Sequence, residues 1–311
     1  MRAFKVLDLF SGIGGLSSGF SRSGFNVTGV DISSSVGRVY QELTTGTFIQ
    51  KDIGKSLIHG DWDILIGGPP CKPWSPVNQS RRTEGHRDYR LVGRFIDHIK
   101  YLMPRIFIIE NVPALGSDSG FMGHLDSLRK LGYSVHPTIV KYSDYGAAIS
   151  RRRLFVVGLL NGSADNFIEE IKKDKRPSQS VRNAIEQFRH LERGKLIDHE
   201  WPNLKTIHKY AEKYKTGKYG WKILNWDLPA PSFGNVMKTY ILPPEADPFD
   251  PSVRVLSILE VSRIMGFNHG FTFPAEMHIG ERYQMLVDSV SPVFSKVLAE
   301  HVLKHINQYR F

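Results

Sequence analysis

Short runs of aliphatic and β-branched residues alternate with longer amphipathic stretches from Phe4 to about Gly158. Runs of about four to eight such residues are typical of buried strands, and apolar positions three and four apart indicate helices. The pattern predicts seven strands: FKVLDL, NVTGV, GTFIQ, DILIG, RIFII, YSVHPTIV and LFVVGLL. Since strands that alternate with helices form crossover units, we expect an α/β fold with a doubly wound, mostly parallel sheet and ligands at the carboxyl ends of its strands.

The regular pattern ends beyond Leu160. An irregular, basic and aromatic region follows, with proline-rich segments such as LPAPSFG and LPPEADPFDP, and a helical period returns from Arg254. We therefore predict a first domain over residues 1–160, a second, smaller domain over 161–252, and a C-terminal segment over 253–311 that returns to the first domain.

The composition is that of a folded chain without membrane or secretion signals. Hydrophobic residues make up 41% of the 311 residues, but no run approaches the ~20 apolar residues of a membrane helix, and MRAFKVLDLF lacks a signal-peptide layout. We expect a soluble protein in the cytoplasm. The single cysteine excludes an intrachain disulfide framework and a cysteine-cluster metal site, and we expect no metal. The net charge of +10 favours a polyanionic partner.

Glycines and acids follow the first three predicted strands. Gly12 and Gly14 would let the backbone approach a ligand at a helix N-terminus, although a tight turn without a ligand explains them equally well. Asp31, at the tip of the second strand, could accept the ribose hydroxyls of an adenosine-containing cofactor. Asp52, after the third, could accept from an adenine amino group. Taken singly, each acid could instead be a helix cap or a turn residue.

Two reactive groups follow the fourth and fifth strands. Cys71 stands behind two prolines just past DILIGG, where a fixed loop beside basic residues suits a thiolate better than a core filler. Glu110 directly follows RIFII, and partial burial there would let it carry a proton near neutral pH. The alternative for Glu110 is an N-cap or a salt-bridge partner.

Three arginines precede the seventh strand. Because successive strand residues alternate faces, we expect Arg151 and Arg153 to point together and Arg152 to point away. Two guanidinium groups could then face the site. An ordinary basic strand edge is the alternative.

In this order the chain carries DLFSGIGG, GGPPCKPWS, ENV, RRRLFVVG, RVLSILEVSRIMGF and RYQMLVDSVSP. Together these segments resemble the cytosine-C5 DNA methyltransferase family of bacterial and phage restriction-modification systems. The resemblance covers most of the chain except about 161–252, where the family keeps its target-recognition region. It implies a Rossmann-like methyltransferase fold, S-adenosylmethionine as methyl donor, and 1–160 as the catalytic and cofactor-binding domain.

The resemblance also implies residue roles. Cys71 would add to C6 of cytosine, Glu110 would protonate or hydrogen-bond the ring N3, and Arg153 and Arg151 would orient the glutamate and contact the exocyclic oxygen. The implied cofactor contacts are Phe10, Gly12, Gly14, Asp31, Ile32, Asp52, Ile53, Pro70 and Ser289.

The implied substrate is a cytosine flipped out of duplex DNA. The polar, basic loop Val77–Arg90 would be mobile when empty and close over the flipped base. Between Lys172 and Lys222, fourteen Lys and Arg stand against six Asp and Glu, interleaved with aromatic residues, which favours contact with phosphates. We expect a monomer, with a cognate restriction endonuclease as a possible partner.

Some positions depart from the family pattern. Ile149 stands where a glutamine is usual, Val287 and Asp288 replace a glycine and an asparagine, and Lys72 and Trp74 differ beside the cysteine.

Two alternative functions stay open. One is a tRNA cytosine-5 methyltransferase, although the Cys-Phe-Thr tripeptide of that branch is absent. The other is a non-catalytic DNA-binding partner with a retained methyltransferase fold.

Overall fold

The computed structural model describes residues 3–70, 87–204, 206–217, 221–239, 241–267 and 271–309. All seven predicted strands are present in these ranges. The strands in chain order are β1 Lys5–Leu9, β2 Asn26–Asp31, β3 Thr47–Gln50, β4 Ile64–Gly67, β5 Ile106–Asn111, β6 Ser134–Lys141, β7 Ile149–Ser150, β8 Arg152–Leu159 and β9 Ala230–Pro231.

The main sheet has seven strands in the order β3-β2-β1-β4-β5-β8-β6. The five strands β3, β2, β1, β4 and β5 are parallel to one another, and β8 pairs antiparallel with both β5 and β6. The prediction of a doubly wound, mostly parallel α/β sheet is confirmed. The chain moves outward from β1 through β2 to β3, and then returns to the other side of β1 as β4. Doubly wound sheets bind ligands at such a reversal, which here lies at the carboxyl ends of β1 and β4.

Twelve helices lie in the described part of the chain. Several begin at a side-chain cap: Asp118 accepts the Phe121 N–H at 2.9 Å, and Ser257 forms a capping box with Glu260. Their bounds are α1 Gly15–Arg22, α2 Gly37–Thr44, α3 Arg87–Leu102, α4 Ser119–Arg129, α5 Ala164–Lys173, α6 Val181–Ile185, α7 Thr206–Lys209, α8 Ala211–Thr216, α9 Val236–Thr239, α10 Ile258–Met265, α11 Ile279–Asp288 and α12 Pro292–Gln308.

The central strands are buried on both faces, which explains their nearly continuous apolar sequences. Leu65 and Phe107 of the sheet belong to one core cluster with Phe95 of α3 and Leu125 of α4, and all four are fully buried. This packing fixes the strand ends, and with them the side chains that follow.

The chain divides into two compact units. The first consists of Met1–Lys141, Arg152–Lys175 and Ser295–Phe311, and the second of Tyr142–Arg151 and Arg176–Phe294. The first unit contains the seven-stranded sheet, and the second contains the two-stranded pairing of β7 with β9. Among the described helices, none is both long and apolar enough to cross a membrane.

Candidate active site

The turn after β1 uses three residues with positive φ. Phe10 has φ 60°, Gly12 has φ 51° and Gly14, the N-cap of α1, has φ 90°. A Cβ on Gly14 would also stand 2.8 Å from the Tyr40 ring, whereas one on Gly12 would meet nothing within 4 Å. Gly14 is therefore required by conformation and packing, and Gly12 borders open space that a ligand can approach.

The Asp31 carboxylate fixes this turn. Oδ2 accepts the Gly12 N–H at 3.0 Å, and Oδ1 accepts the Ser33 N–H at 3.0 Å. Because each carboxylate oxygen has a second acceptor site, Asp31 can still bind hydroxyl groups. The structure thus brings the glycine turn and the acid at the tip of β2 together.

The three predicted adenine contacts differ in exposure. Ile32 is 53% exposed, while Ile53 is only 3% exposed. Asp52 Oδ1 accepts the Gly54 N–H at 2.9 Å, and its Oδ2 lies 3.9 Å from Lys55 Nζ. Ile32 can therefore present an apolar face to a flat ring, while Ile53 belongs to the core beneath it.

The loop after β4 is tied to β5. The Asn111 side-chain amide donates to the Pro69 carbonyl at 2.9 Å, and its Oδ1 accepts the Val112 N–H at 2.9 Å. A Cβ on Gly67 would collide with the Leu9 carbonyl oxygen at 2.1 Å, so only glycine fits there. These contacts fix the backbone that leads through Pro70.

Glu110 is 9% exposed near the end of β5. Arg153, in β8 beside it, places Nε 3.1 Å from Glu110 Oε1 and donates through Nη1 to the Arg152 carbonyl at 2.8 Å. A buried carboxylate held by a guanidinium group has a fixed orientation and a compensated charge. The structure thus brings Glu110 and Arg153 together as one ion pair.

Arg151 is placed differently from the expectation. It lies between β7 and β8 rather than within a continuous strand, so strand alternation does not relate it to Arg153. Arg151 belongs to the second unit and is 5% exposed; its guanidinium donates to the carbonyl of Phe233 at 3.3 Å and to that of Val287. The exposed residue of the three arginines is Arg152, as expected.

Three of the departures from the family pattern, Ile149, Val287 and Asp288, lie in the second unit, as does Ser289. Ile149 is fully buried and pairs with Ala230 in β9. Asp288 Oδ1 accepts a hydrogen bond from Gln284 Nε2 at 2.8 Å. Ser289 ends α11 and donates from Oγ to the Met285 carbonyl at 2.8 Å, which leaves its lone pairs as acceptors.

Several predicted features lie outside the described residues. These are Cys71, Lys72, Trp74 and the loop from Val77 as far as residue 86. The last four residues of that predicted loop, Arg87–Arg90, form the first turn of α3. Within the described ranges, no group of three His, Asp or Glu side chains could hold a metal ion.

Sequence reasoning missed a buried polar chain beneath the glycine turn. Asp8, 1% exposed in β1, accepts from Ser17 Oγ at 2.7 Å, and Ser17 accepts from the Tyr40 hydroxyl at 2.8 Å. Burial raises the pKa of Asp8 to about 7. The hydrogen bond from Ser17 lowers this pKa and the negative charge of Asp31 raises it, but each of these effects is smaller than that of burial. The feature of the sequence that could have revealed this chain is the charged Asp8 within an otherwise apolar strand segment.

The second unit carries an exposed cluster of lysines on aromatic rings. Lys213 Nζ lies 4.2 Å from the Tyr210 ring centre and 5.3 Å from that of Trp221, and Lys209 Nζ lies 5.5 Å from Tyr210. The rings of Tyr210 and Trp221 are 5.0 Å apart. Cation–π contacts fix these ammonium groups while their outer faces stay in solvent, as a phosphate-binding surface requires.

Comparison with known proteins matches this chain to one family. The family model described as C-5 cytosine-specific DNA methylase matches residues 4–304. The type II methyltransferase M.FnuDI of Fusobacterium nucleatum is 27% identical, over 96% of this chain and 94% of its own length. The type II methyltransferase M1.HphI of Haemophilus parahaemolyticus is 28% identical, over 97% of this chain and 87% of its own length.

Solved structures show the same fold. The Entamoeba histolytica methyltransferase EhMeth matches with a TM-score of 0.76 at 20% identity, over 98% of this chain and 99% of its own. The S. pombe Dnmt2 methyltransferase matches with a TM-score of 0.71 at 16% identity, over the whole of both chains.

Proposed function

Because the chain belongs to the C-5 cytosine-specific DNA methylase family, we propose that it transfers a methyl group from S-adenosylmethionine to C5 of a flipped-out cytosine in a specific duplex DNA sequence. The observation that carries the proposal is the Glu110–Arg153 pair at 3.1 Å, at the ligand-binding edge of the sheet. A purely structural ion pair could lie anywhere in the sheet, whereas a group that protonates a bound nucleobase must lie at the edge where ligands bind.

The chemistry assigned to the chain begins at Cys71. Cytosine C5 is a poor nucleophile. The Cys71 thiolate adds its electron pair to C6 to form a C–S bond, and the C5–C6 π pair moves into the ring towards N3, which makes the ring an enamine with a nucleophilic C5. Glu110 stabilises the charge that develops at N3 by donating a proton or a hydrogen bond there. Arg153 holds the Glu110 carboxyl group and contacts the exocyclic oxygen. Once C5 carries the methyl group, a base takes the C5 proton, the C5–C6 double bond re-forms, and the Cys71 thiolate leaves with the C–S electron pair, which restores the aromatic ring.

The first unit supplies a surface that fits S-adenosylmethionine, which would supply the electrophilic methyl group. Asp31, already anchored on the Gly12 N–H at 3.0 Å, would accept the ribose hydroxyls. The backbone at Gly12, where an added Cβ would meet no atom within 4 Å, leaves room for the amino-acid end. Ile32, 53% exposed, would cover one face of the adenine. Phe10, Gly14, Asp52, Ile53, Pro70 and Ser289 complete the proposed cofactor contacts.

Target recognition is assigned to residues 161–252, most of which lie in the second unit. The surplus of positive charge between Lys172 and Lys222, and the lysines fixed on Tyr210 and Trp221, support this assignment. Phosphate contacts by such lysines position a duplex without reading its sequence. The names of the relatives support a type II restriction-modification role, and we propose a cytoplasmic monomer with a cognate restriction endonuclease as its genetic partner.

The test incubates wild type and Cys71→Ser with radiolabelled S-adenosylmethionine and, in parallel, duplex DNA or tRNA, and identifies the labelled nucleoside after digestion. Label in 5-methylcytosine of DNA, lost in Cys71→Ser, is the expected result. Label only in tRNA would support the RNA branch instead. Tight DNA binding without label would support a non-catalytic partner.

A further inference from the structure

The segment between β3 and β4, residues 51–63, carries two of the proposed adenine contacts, Asp52 and Ile53. It contains no helix or strand, so other contacts must hold its shape. The Lys51 N–H donates to the Asp31 carbonyl at 2.9 Å, and Lys51 Nζ donates to the Leu57 carbonyl at 3.2 Å. These contacts fix the beginning of the segment.

His98 of α3 holds the middle of segment 51–63. The Ile58 N–H lies 3.2 Å from His98 Nε2, and His98 Nδ1 lies 2.7 Å from the Arg94 carbonyl. Since a backbone N–H can only donate and a carbonyl can only accept, Nε2 carries the lone pair and Nδ1 carries the proton. Both nitrogens of His98 are therefore used, and the bond from the Ile58 N–H to Nε2 requires the neutral ring.

The Ile58 bond is shielded from water. His98 is fully buried, and Ile53 and Ile58 belong to the same core cluster as Val92 and Ile99 of α3. Water has poor access to replace a lost partner at such a site, so losing the bond would leave a buried N–H unsatisfied. The position of this irregular segment consequently depends on His98.

Protonation of His98 would place a second N–H against the Ile58 N–H. Burial lowers the pKa of His98 below its usual 6.5, the Arg94 carbonyl bond and Asp97 oppose this shift, and the charges of Arg94 and Lys51 reinforce it. These are the charged groups of α3 and of segment 51–63 that act on the ring. The neutral form is the stable one at neutral pH, and acid converts it to the form that breaks the bond.

On the basis of the proposed function, we propose that His98 is a positioning residue: its neutral ring holds segment 51–63 in the shape that receives the adenine of the cofactor, and its protonation releases that segment. Cofactor binding then favours neutral His98. By linkage, the affinity for the adenosyl group falls as pH decreases through the lowered pKa of His98, by at most about tenfold per pH unit because one proton is involved.

The test is isothermal titration calorimetry of wild type, His98→Gln and His124→Gln from about pH 7.5 to about pH 5.0, a range that spans the ordinary histidine pKa. The ligands are S-adenosylhomocysteine and 5′-methylthioadenosine, which lacks the amino-acid end. For wild type we expect both dissociation constants to rise towards the acid end, as His98 becomes protonated. A glutamine amide oxygen can accept the Ile58 N–H without titrating, so His98→Gln should give flat profiles. His124 lies on α4 and also has a pKa lowered by burial, so His124→Gln is the control and should behave as wild type.

Hydrogen exchange of wild type gives a second readout that needs no variant. After correction for the intrinsic pH dependence, peptides covering 51–63 should lose protection at the acid end of the range and regain it with S-adenosylhomocysteine. Flat wild-type binding profiles, or unchanged protection of 51–63 in acid, would overturn the role of His98 while leaving the proposed function intact. Failure of wild type to bind S-adenosylhomocysteine at neutral pH would overturn both proposals.

Discussion

Gly68 and Glu110 lie against each other at the ends of two neighbouring strands, so closely that a Cβ on Gly68 would stand 2.8 Å from Glu110 Oε2. The other carboxylate oxygen, Oε1, lies 3.1 Å from Arg153 Nε. The carboxylate is thus confined between a position without a side chain and a guanidinium group. Its orientation is set before any substrate arrives, which is the arrangement that general acid catalysis requires.

Gly68→Ala should therefore disable the enzyme. The new methyl group displaces the Glu110 carboxylate, and we expect methyl transfer to fall ~100-fold, with overpacking lowering the free energy of unfolding by about 1–3 kcal/mol. Single-turnover methylation and urea unfolding measure the two effects. Gly93→Ala is the control, because a Cβ there meets nothing within 4 Å inside α3. Wild-type turnover in Gly68→Ala would show that the carboxylate position is unimportant.

Glu110→Gln should separate proton transfer from binding. The amide keeps the size of the side chain but cannot supply an acidic proton to N3, so we expect kcat to fall by about 10²–10⁴ with little change in DNA affinity. Glu169→Gln, at an exposed position of α5 where the glutamate pairs with Lys172, should retain full activity. A Glu110→Gln enzyme with normal kcat would remove this residue from the mechanism.

The strands and their terminal residues were predictable because each depends on local pattern. A parallel sheet buries its central strands on both faces, so their apolar runs stand out, and residues such as Asp31 and Glu110 are marked by following those runs. From the residue pattern alone, without the family resemblance, the pairing of Glu110 with Arg153 required the sheet order, since β8 is inserted between β5 and β6. The sequence does not state that order.

Other parts of the site depend on contacts between distant positions. Arg151 was expected to point to the same side of the strand as Arg153, but the break between β7 and β8 falls on it. The role of Gly68 becomes visible only when the Glu110 side chain is in place. His98 resembles any apolar-face residue of an amphipathic helix until Ile58 is found beside it. The roles of these residues arise from tertiary contacts, and no local sequence pattern indicates them.

Asp8 gives the protein a pH-dependent stability of unusual sign for a carboxylate. Its pKa is about 7 in the folded protein, against 3.8 for an ordinary aspartate, so the folded protein binds this proton more tightly than the unfolded chain does. The contribution of Asp8 to the free energy of unfolding is therefore fully present below pH 3.8 and is lost as pH rises through 7. Between about pH 5.5 and about pH 8.5 the loss is roughly 2 kcal/mol.

Asp8→Asn removes this titration and keeps an acceptor for Ser17. We expect the free energy of unfolding of Asp8→Asn, relative to wild type, to increase by about 2 kcal/mol from about pH 5.5 to about pH 8.5 in urea titrations. Asp126→Asn, an exposed residue of α4, should show a constant difference over the same range. A constant difference for Asp8→Asn as well would mean that Asp8 is already ionised at the acid end of that range.

The lysines on Tyr210 and Trp221 should determine part of the salt dependence of DNA binding. Each lysine that neutralises a phosphate releases counterions and contributes about −0.9 to the slope of log K against log salt concentration. Lys209→Gln and Lys213→Gln should therefore each reduce the slope by about 1, equally on cognate and non-cognate duplexes, because phosphate contacts carry no sequence information. Lys296→Gln, on α12 beside Glu300, is the matched control and should leave the slope unchanged. A slope unaltered in Lys213→Gln would place the duplex elsewhere on the second unit, whereas a loss confined to one sequence would make Lys213 a reader of bases.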